Sequence, residues 1–357
     1  MTTINLVIFG IGNVGSTLIN QIQLAKPRLI EHHGIDIQIP VIANSKLAFF
    51  SNDLNYHWET DFKQFSIPYK IEDVVAYVSS KKLQNLIAVD ATASEELVKD
   101  YSTLIQHGFH IVAANKVANT LHHDFYDQLR RDLKKHDKQF LYETNVGAGL
   151  PVIETIKNLY QSGELITKVR GVFSGSLSYI FNAYSEEDTL FSEVLSAADQ
   201  QGLTEPDARD DLSGKDVARK LLILARELGL KTELSSVKVR SLVSNQLNGK
   251  TSLHQFKQRI KELDPEFETI KTRLKQDQVL RYVGELDIAS KQMEVKLVSE
   301  YKNTSLGQLK GTDTIFEIYT EGYNEQPLVI QGAGAGKHVT ARGVLSDVIK
   351  ISQQLKD

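Results

Sequence analysis

The sequence predicts an α/β protein, with an N-terminal Rossmann-type doubly wound parallel sheet followed by a second, α+β domain. Three observations carry that expectation. Short apolar runs alternate with amphipathic helix-period segments as far as Tyr142, the pattern that builds βαβ units. The first run opens directly onto G-I-G-N-V-G, Gly10 to Gly15. Beyond Tyr142 the chain changes to clustered helical segments and then to strands at hairpin spacing.

Ile4 to Phe9 is apolar, too short for a helix and stopped by Gly10, which suits a strand covered on both faces. A helix follows, with Val14, Leu18, Ile19, Ile22 and Leu29 on one side, and Ile35 to Ala43 reads as the second strand. Ile71 to Ser80 is amphipathic, Leu86 to Asp90 is a buried strand, and Glu95 to His107 is a helix stopped by Gly108. Phe109 to Ala113 and Gln139 to Tyr142 are strands on either side of a charged helix over 120–138. The turn-rich run E-T-N-V-G-A-G-L-P, residues 143–151, marks a domain junction, with Pro151 in the first turn of a helix over Val152–Tyr160.

The expected division is a dinucleotide-binding domain over 1–145, completed by 331–357, and a second domain over 146–330. In the second, Lys168 to Phe173 is a strand leading into S-G-S-L-S-Y-I-F-N, and Ser213 to Leu228 is a helix stopped by Gly229. A helical pair is expected over 235–248 and 264–276. Strands follow over Leu280–Asp287, Met293–Tyr301, Thr314–Tyr319 and Pro327–Ile330. The run G-A-G-A-G, residues 332–336, opens a final helix over Thr340–Leu355, either as a turn closing over a nucleotide or as a flexible connector.

Composition excludes several function classes. A length of 357 residues suggests about two domains and a core needing no staples. With no cysteine there is no disulfide framework, thiolate metal site or cysteine nucleophile. A net charge of −4 offers no general attraction to nucleic acid or to an anionic membrane. No apolar stretch reaches the roughly 18 residues of a spanning helix. Met1-Thr2-Thr3 has no basic leader character, so a cytoplasmic location is expected. The histidines form no helical ligand pair, because Gly108 breaks the His107–His110 stretch.

In a strand-to-helix setting each glycine of the triplet has a task. Gly10 permits the tight turn, Gly12 lets the backbone approach a pyrophosphate, and Gly15 lets the helix pack on the strand. The helix N-terminus then presents unpaired N–H groups to phosphates. An ordinary turn is the alternative, and the position directly after an N-terminal strand favours the nucleotide. The second strand ends Ile42-Ala43-Asn44-Ser45-Lys46 without the acid that usually holds the ribose of NAD. Ser45 and Lys46 could meet a 2′-phosphate, which favours NADP, although Lys46 could equally be solvated. Thr92, Ser94 and Lys116 stand at carboxyl ends of strands, where such sheets bind ligands. Helix capping and plain surface charge are the other readings of these residues.

The second domain supplies acids with a lysine. Asp216 and Lys220 fall four apart on one helix face, beside the apolar Val217, Leu221, Leu224 and Leu228. The preceding loop gathers Glu205, Asp207, Asp210 and Asp211 around Arg209, stiffened by Pro206. Such a set can hold an ammonium group while the lysine handles a proton. The alternative is an exposed ion pair of a few tenths of a kcal/mol.

Together these motifs resemble homoserine dehydrogenase. The resemblance covers nearly the whole chain and rests on G-I-G-N-V-G, A-N-K, Y-E-T-N-V-G-A-G-L-P, F-S-G-S-L-S-Y-I-F-N, G-L-T-E-P-D-A-R-D-D-L-S-G-K-D-V-A-R-K and G-A-G-A-G-K-H-V-T-A-R-G-V. It implies interconversion of L-aspartate 4-semialdehyde and L-homoserine with NAD(P)(H), a step toward threonine, methionine and isoleucine. By motif, Gly12, Val14, Gly15, Thr92 and Lys116 would line the cofactor and Gly336 would approach its nicotinamide side. Glu205 and Asp216 would hold the amino acid, with Lys220 as the proton donor or acceptor and Lys116 as the rival for that role. The resemblance also implies a sodium ion held mainly by backbone oxygens of Glu143, Val146, Ala148 and Leu150, and a homodimer through the second domain. It leaves no length for a regulatory domain or a fused kinase. Another two-domain NAD(P)-dependent oxidoreductase, such as a sugar dehydrogenase, is the competing enzyme reading; aspartate-semialdehyde dehydrogenase, which needs a cysteine nucleophile, does not fit, and a nucleotide sensor without catalysis is the alternative from another class.

Overall fold

The computed structural model describes residues 1–51, 54–249 and 251–355. The chain divides into two compact units, one of residues 1–149 with 336–357 and one of residues 150–335.

The first unit is built on β1 (Thr2–Phe9), β2 (Ile35–Ala43), β3 (Leu47–Phe50), β4 (Ile67–Pro68), β5 (Leu86–Asp90), β6 (His110–Ala113) and β7 (Phe140–Leu141). They form one sheet in the order β4-β3-β2-β1-β5-β6-β7. The five from β2 to β7 in that order are parallel, and β3 and β4 add an antiparallel edge that the sequence reading did not contain. Register matters for the site: Phe9 pairs with both Ala43 and Asp90, and Asp90 with Ala113. The loops after β1, β2, β5 and β6 therefore leave the sheet at one common edge. Ile4, Leu6 and Ile8 of β1 are fully buried because the helix Asn13–His33 and the C-terminal helix Lys337–Gln354 share their core, through Leu18, Ile22, Val344 and Val348.

Two helices of this unit are shorter than their patterns suggest. Glu95–His107 is two pieces, Glu95–Lys99 and Tyr101–Gln106, parting at Asp100. The charged helix is His123–Lys135, preceded by the short turn Val117–Thr120. Leu121 between them is extended, and the His122 ring accepts the Asp124 N–H to start the second helix afresh.

The second unit carries β8 (Ile166–Val172), β9 (Val237–Val239), β10 (Gln278–Asp287), β11 (Gln292–Tyr301), β12 (Asp313–Thr320) and β13 (Leu328–Ala333), in the order β13-β12-β8-β10-β11-β9. All pairings are antiparallel except β9 with β11. The helices Gly175–Glu186 and Lys215–Glu227 pack on β10, and at Gly284 the second comes so close that a Cβ would stand 3.0 Å from Val217 and 3.3 Å from Leu221.

Here the expected helical pair is corrected. Residues 235–248 are not a helix: a 3₁₀ turn, Leu234–Ser236, leads into β9 and then turns. Val237 and Val239 alternate with Lys238 and pair with β11, so β-branched packing at a sheet edge outweighs the helical pattern. The second helix is Asp264–Lys271, shorter than 264–276, with Pro265 in its first turn. A helix over Leu253–Arg259 was missed, although Ser252 and Gln255 form the capping box that announces it. Among the described residues no helix is long and apolar enough to cross a membrane.

Candidate active site

The glycine triplet sits between β1 and the first helix. Gly10 has φ +91°, and a Cβ on it would stand 2.8 Å from the Ala91 carbonyl and the Thr92 side chain. A Cβ on Gly15 would lie 1.8 Å from the Gly10 carbonyl oxygen, so the turn closes only with glycine at both. At Gly12, the N-cap of the helix Asn13–His33, a Cβ would meet nothing within 4 Å. The helix N-terminus thus faces open space, and Val14 beside it is half-buried.

A cavity of about 700 Å³ opens at this edge, lined by Gly10, Asn44, Ser45, Tyr69, Lys70 and Thr92 among others. At the end of β2 the Asn44 carboxamide oxygen accepts the Lys46 and Leu47 N–H groups at 2.8 Å each, closing the turn. Lys46 itself is exposed, and the lysine among the lining residues is Lys70. A larger cavity, about 830 Å³, lies at the opposite ends of the strands, beside Thr3, Asn5 and Asn85, away from the helix N-terminus.

Thr92 is tied down more firmly than the sequence indicates. Its N–H and hydroxyl both donate to Asp90, at 2.8 and 2.7 Å, while its hydroxyl oxygen accepts the Ser94 N–H. Ser94 caps the helix Glu95–Lys99. Lys116, half-buried, occupies the N-cap position of Val117–Thr120.

The loop after β7 is buried and held by the C-terminal helix. Glu143, Val146 and Ala148 are each less than 9% exposed, and the Glu143 N–H donates to the buried Asp347 carboxylate at 2.9 Å. Gly147 and Ala148 both take left-handed backbone angles, φ +82° and +53°. Gly336, exposed, has φ +113° at the head of that helix. Leu150 belongs to the second unit, and its carbonyl accepts the Val152 N–H.

In the second unit the helix Lys215–Glu227 carries Asp216 and Lys220. Lys220 is 8% exposed, and its ammonium donates to the Asp216 carboxylate at 2.8 Å and to the Phe173 carbonyl at 2.7 Å. Phe173 ends the run out of β8, and Ser174 caps the next helix, accepting from Leu177. The Ser176 hydroxyl donates to Asp211 at 2.6 Å, and the other Asp211 oxygen accepts the Glu205 N–H at 2.8 Å. Burial raises the Asp211 pKa, and the neighbouring Asp216 and Asp210 charges add to it. Asp211 therefore anchors the exposed Glu205 to the Ser174–Ser176 turn, a role that no local pattern around Asp211 announced. Asp207 stands apart from this group. It is ion-paired with Arg209, whose guanidinium also donates to the Leu247 and Thr251 carbonyls.

The glycine turn and the Lys220–Asp216 pair each fall within a stretch that a family model matches. A family model described as homoserine dehydrogenase, NAD binding domain, matches residues 10–143, and one described as homoserine dehydrogenase matches residues 151–349. The chain belongs to the homoserine dehydrogenase family. The NAD-binding match lies in the first unit. The homoserine dehydrogenase of Schizosaccharomyces pombe is 35% identical over 365 residues, covering 99% of this chain and 97% of its own. The bifunctional aspartokinase/homoserine dehydrogenase of Buchnera aphidicola is 41% identical over 352 residues, 98% of this chain and 43% of that protein. The chain spans less than half the length of the bifunctional relatives it matches. Among solved structures, a Candida auris protein of unknown function is 33% identical with a TM-score of 0.90, covering all of both chains. A hyperthermophilic archaeal homoserine dehydrogenase in complex with NADPH shares the fold at 22% identity and a TM-score of 0.74, covering 100% of this chain and 99% of that one.

Proposed function

We propose that the chain interconverts L-aspartate 4-semialdehyde and L-homoserine, with NADP as the nucleotide. The observation that carries the reading is the Lys220 ammonium. It has two acceptors, Asp216 and the Phe173 carbonyl, for three hydrogens, so one hydrogen remains to offer a substrate oxygen. In the reductive direction a hydride reaches the aldehyde carbon and the developing alkoxide takes a proton, which Lys220 supplies. Asp216 orients that amine and, with Glu205, receives the α-ammonium of the amino acid. Lys116 serves the nicotinamide end of the site.

Gly12, Val14 and Gly15 form the turn that takes the nucleotide's phosphates, Thr92 lines the cavity beside them, and Gly336 lies toward the nicotinamide. NADP is favoured because β2 ends in Asn44-Ser45-Lys46 without a carboxylate for a ribose 2′-hydroxyl, with Ser45 and Lys70 lining the cavity whose further wall carries Glu72, Glu96 and Asp100. The buried loop that includes Glu143, Val146 and Ala148 fits a hard cation: its donors are backbone oxygens with the buried Glu143 carboxylate, and Asp347 holds the start of the loop through the Glu143 N–H. Sodium held there would supply fixed positive charge. We further propose a homodimer, without nucleic-acid partners, in a reducing cytoplasm that a chain without cysteine suits.

The test mixes purified protein with NADPH and aspartate semialdehyde and follows the absorbance of the reduced nicotinamide. Steady oxidation is expected in the wild type. Lys220→Ala should lose about 10²–10⁴-fold in kcat with nucleotide affinity retained. Near-normal turnover in Lys220→Ala, with the loss falling instead in Lys116→Ala, would overturn the lysine assignment. A flat trace from folded, nucleotide-bound wild type would make the chain a sensor.

A further inference from the structure

We propose that Asp90 is a positioning residue for the nucleotide and for Lys116, holding the loops after β5 and β6 as one unit. The proposal rests on the nucleotide reading of this edge given above.

Asp90 is the last residue of β5, in register with Phe9 and Ala113, and is 1% exposed. One carboxylate oxygen accepts from Thr92, through its N–H at 2.8 Å and its hydroxyl at 2.7 Å. The other accepts the Tyr101 hydroxyl at 2.7 Å and the Asn115 amide at 2.9 Å. Four donors on two oxygens match the capacity of an ionised carboxylate. The anchored residues pass the order on. Thr92 accepts from the Ser94 N–H, Asn115 donates to the Ser94 carbonyl at 2.9 Å, and the Asn115 oxygen accepts the Val117 N–H at 3.0 Å. Residues 92–94 and 115–117 are thus tied to one side chain and to each other, with Lys116 in the middle of the second group.

Folding of the sheet does not ask for this residue. Leu86, Ile87, Ala88 and Val89 fill the rest of β5 with apolar side chains, and a further one would complete the strand without the cost of burying a charge. Burial raises the Asp90 pKa, against the pull of its hydrogen bonds. The carboxylate stands where Thr92 lines the nucleotide cavity and Lys116 starts its helix, the place where fixed loop geometry has a use.

Asparagine at this position would be isosteric but carries one acceptor and one donor group, so its amide must face one of the two donor pairs. Asp90→Asn should raise the Kd for NADPH about tenfold and lower kcat about tenfold. The comparison is Asn5→Ala. Asn5 is a buried residue at the opposite end of the same sheet, its amide donating to the Gln84 carbonyl at 2.7 Å. That variant should lose thermal stability while Kd and kcat stay within about twofold of wild type. A second measurement needs no variant: hydrogen exchange of the Thr92 and Val117 amides in the wild-type protein should report one shared opening, with rates alike.

Equal Kd and kcat in Asp90→Asn and wild type would overturn the proposal. So would an Asn5→Ala variant that loses as much affinity, or Thr92 and Val117 amides that open at rates more than about tenfold apart. A wild-type protein that fails to bind NADPH would instead overturn the nucleotide reading beneath it, while the exchange experiment would still test the coupling of the loops.

Discussion

Gly214 heads the helix that carries Asp216 and Lys220, and replacing it with alanine is the sharpest single perturbation the second unit offers. Its φ is +70°, in the left-handed region, where a Cβ costs roughly 1–2 kcal/mol. The added methyl would also stand 2.2 Å from the Tyr282 hydroxyl oxygen, 2.9 Å from Val239 and 3.1 Å from the Tyr282 ring. Overpacking of that kind costs about 1–3 kcal/mol more. Gly214→Ala should therefore destabilise by about 2–5 kcal/mol. Tyr282 is 1% exposed and its hydroxyl donates to the Arg240 carbonyl at 2.9 Å, so Tyr282→Phe alone should cost about 1–2 kcal/mol. The same substitution removes the atom that the new methyl strikes hardest. The double variant should thus be about 1–2 kcal/mol more stable than the two single losses predict, the backbone cost remaining in both backgrounds. Urea unfolding of the four proteins gives the cycle, and kcat/KM follows it. A shifted helix start displaces Lys220, so activity should fall about 10–100-fold in Gly214→Ala and recover in part in the double variant. Additivity within about 0.5 kcal/mol, or an unaltered Gly214→Ala, would refute the reasoning.

Two further outcomes follow from buried groups of the first unit. Asp347→Leu removes the acceptor of the Glu143 N–H and should lower the urea midpoint by the equivalent of about 1–3 kcal/mol, whereas Asp347→Asn, which keeps an acceptor, should retain most of the stability. The ring of His110 is 5% exposed, its Nδ1 accepts the Gln139 N–H, and burial lowers its pKa to about 4. Below an unfolded value of about 6.5 the unfolded chain takes a proton that the folded chain refuses, so stability falls as the pH drops from about 6.5 to about 4. Melting temperatures across that window should fall less in His110→Gln than in wild type, and equal slopes would count against the buried neutral ring.

Much of the first unit was legible because its signals are local. A strand, a glycine turn and a helix succeed one another within 33 residues, and the triplet's demands at Gly10 and Gly15 are met by atoms of the same turn and the neighbouring loop. The edge strands β3 and β4 were not legible, being four and two residues long and defined only by whom they pair with. Nor was the partnership of Asp347 with Glu143, which joins residues 204 positions apart and gives the helix no more than an acid on an otherwise apolar face. The Thr92 hydroxyl was read as available to a cofactor or to capping. In the structure that hydroxyl donates to Asp90 and accepts the Ser94 N–H.

The acid cluster shows why the remainder was hidden. On the sequence Glu205, Asp207, Asp210, Asp211 and Asp216 look equivalent around Arg209 and Lys220, because spacing assigns no partner. Arg209 is the residue that separates them. Its guanidinium pairs with Asp207, reaches the Leu247 and Thr251 carbonyls and lies over the Phe256 ring at 5.1 Å. The Leu247 carbonyl lies in the turns that stand where a helix was expected, and Thr251 lies just beyond them. With Arg209 and Asp207 bracing the loop, Asp211 fixes Glu205 and Asp216 pairs with Lys220, so acids that look alike in the sequence serve different partners.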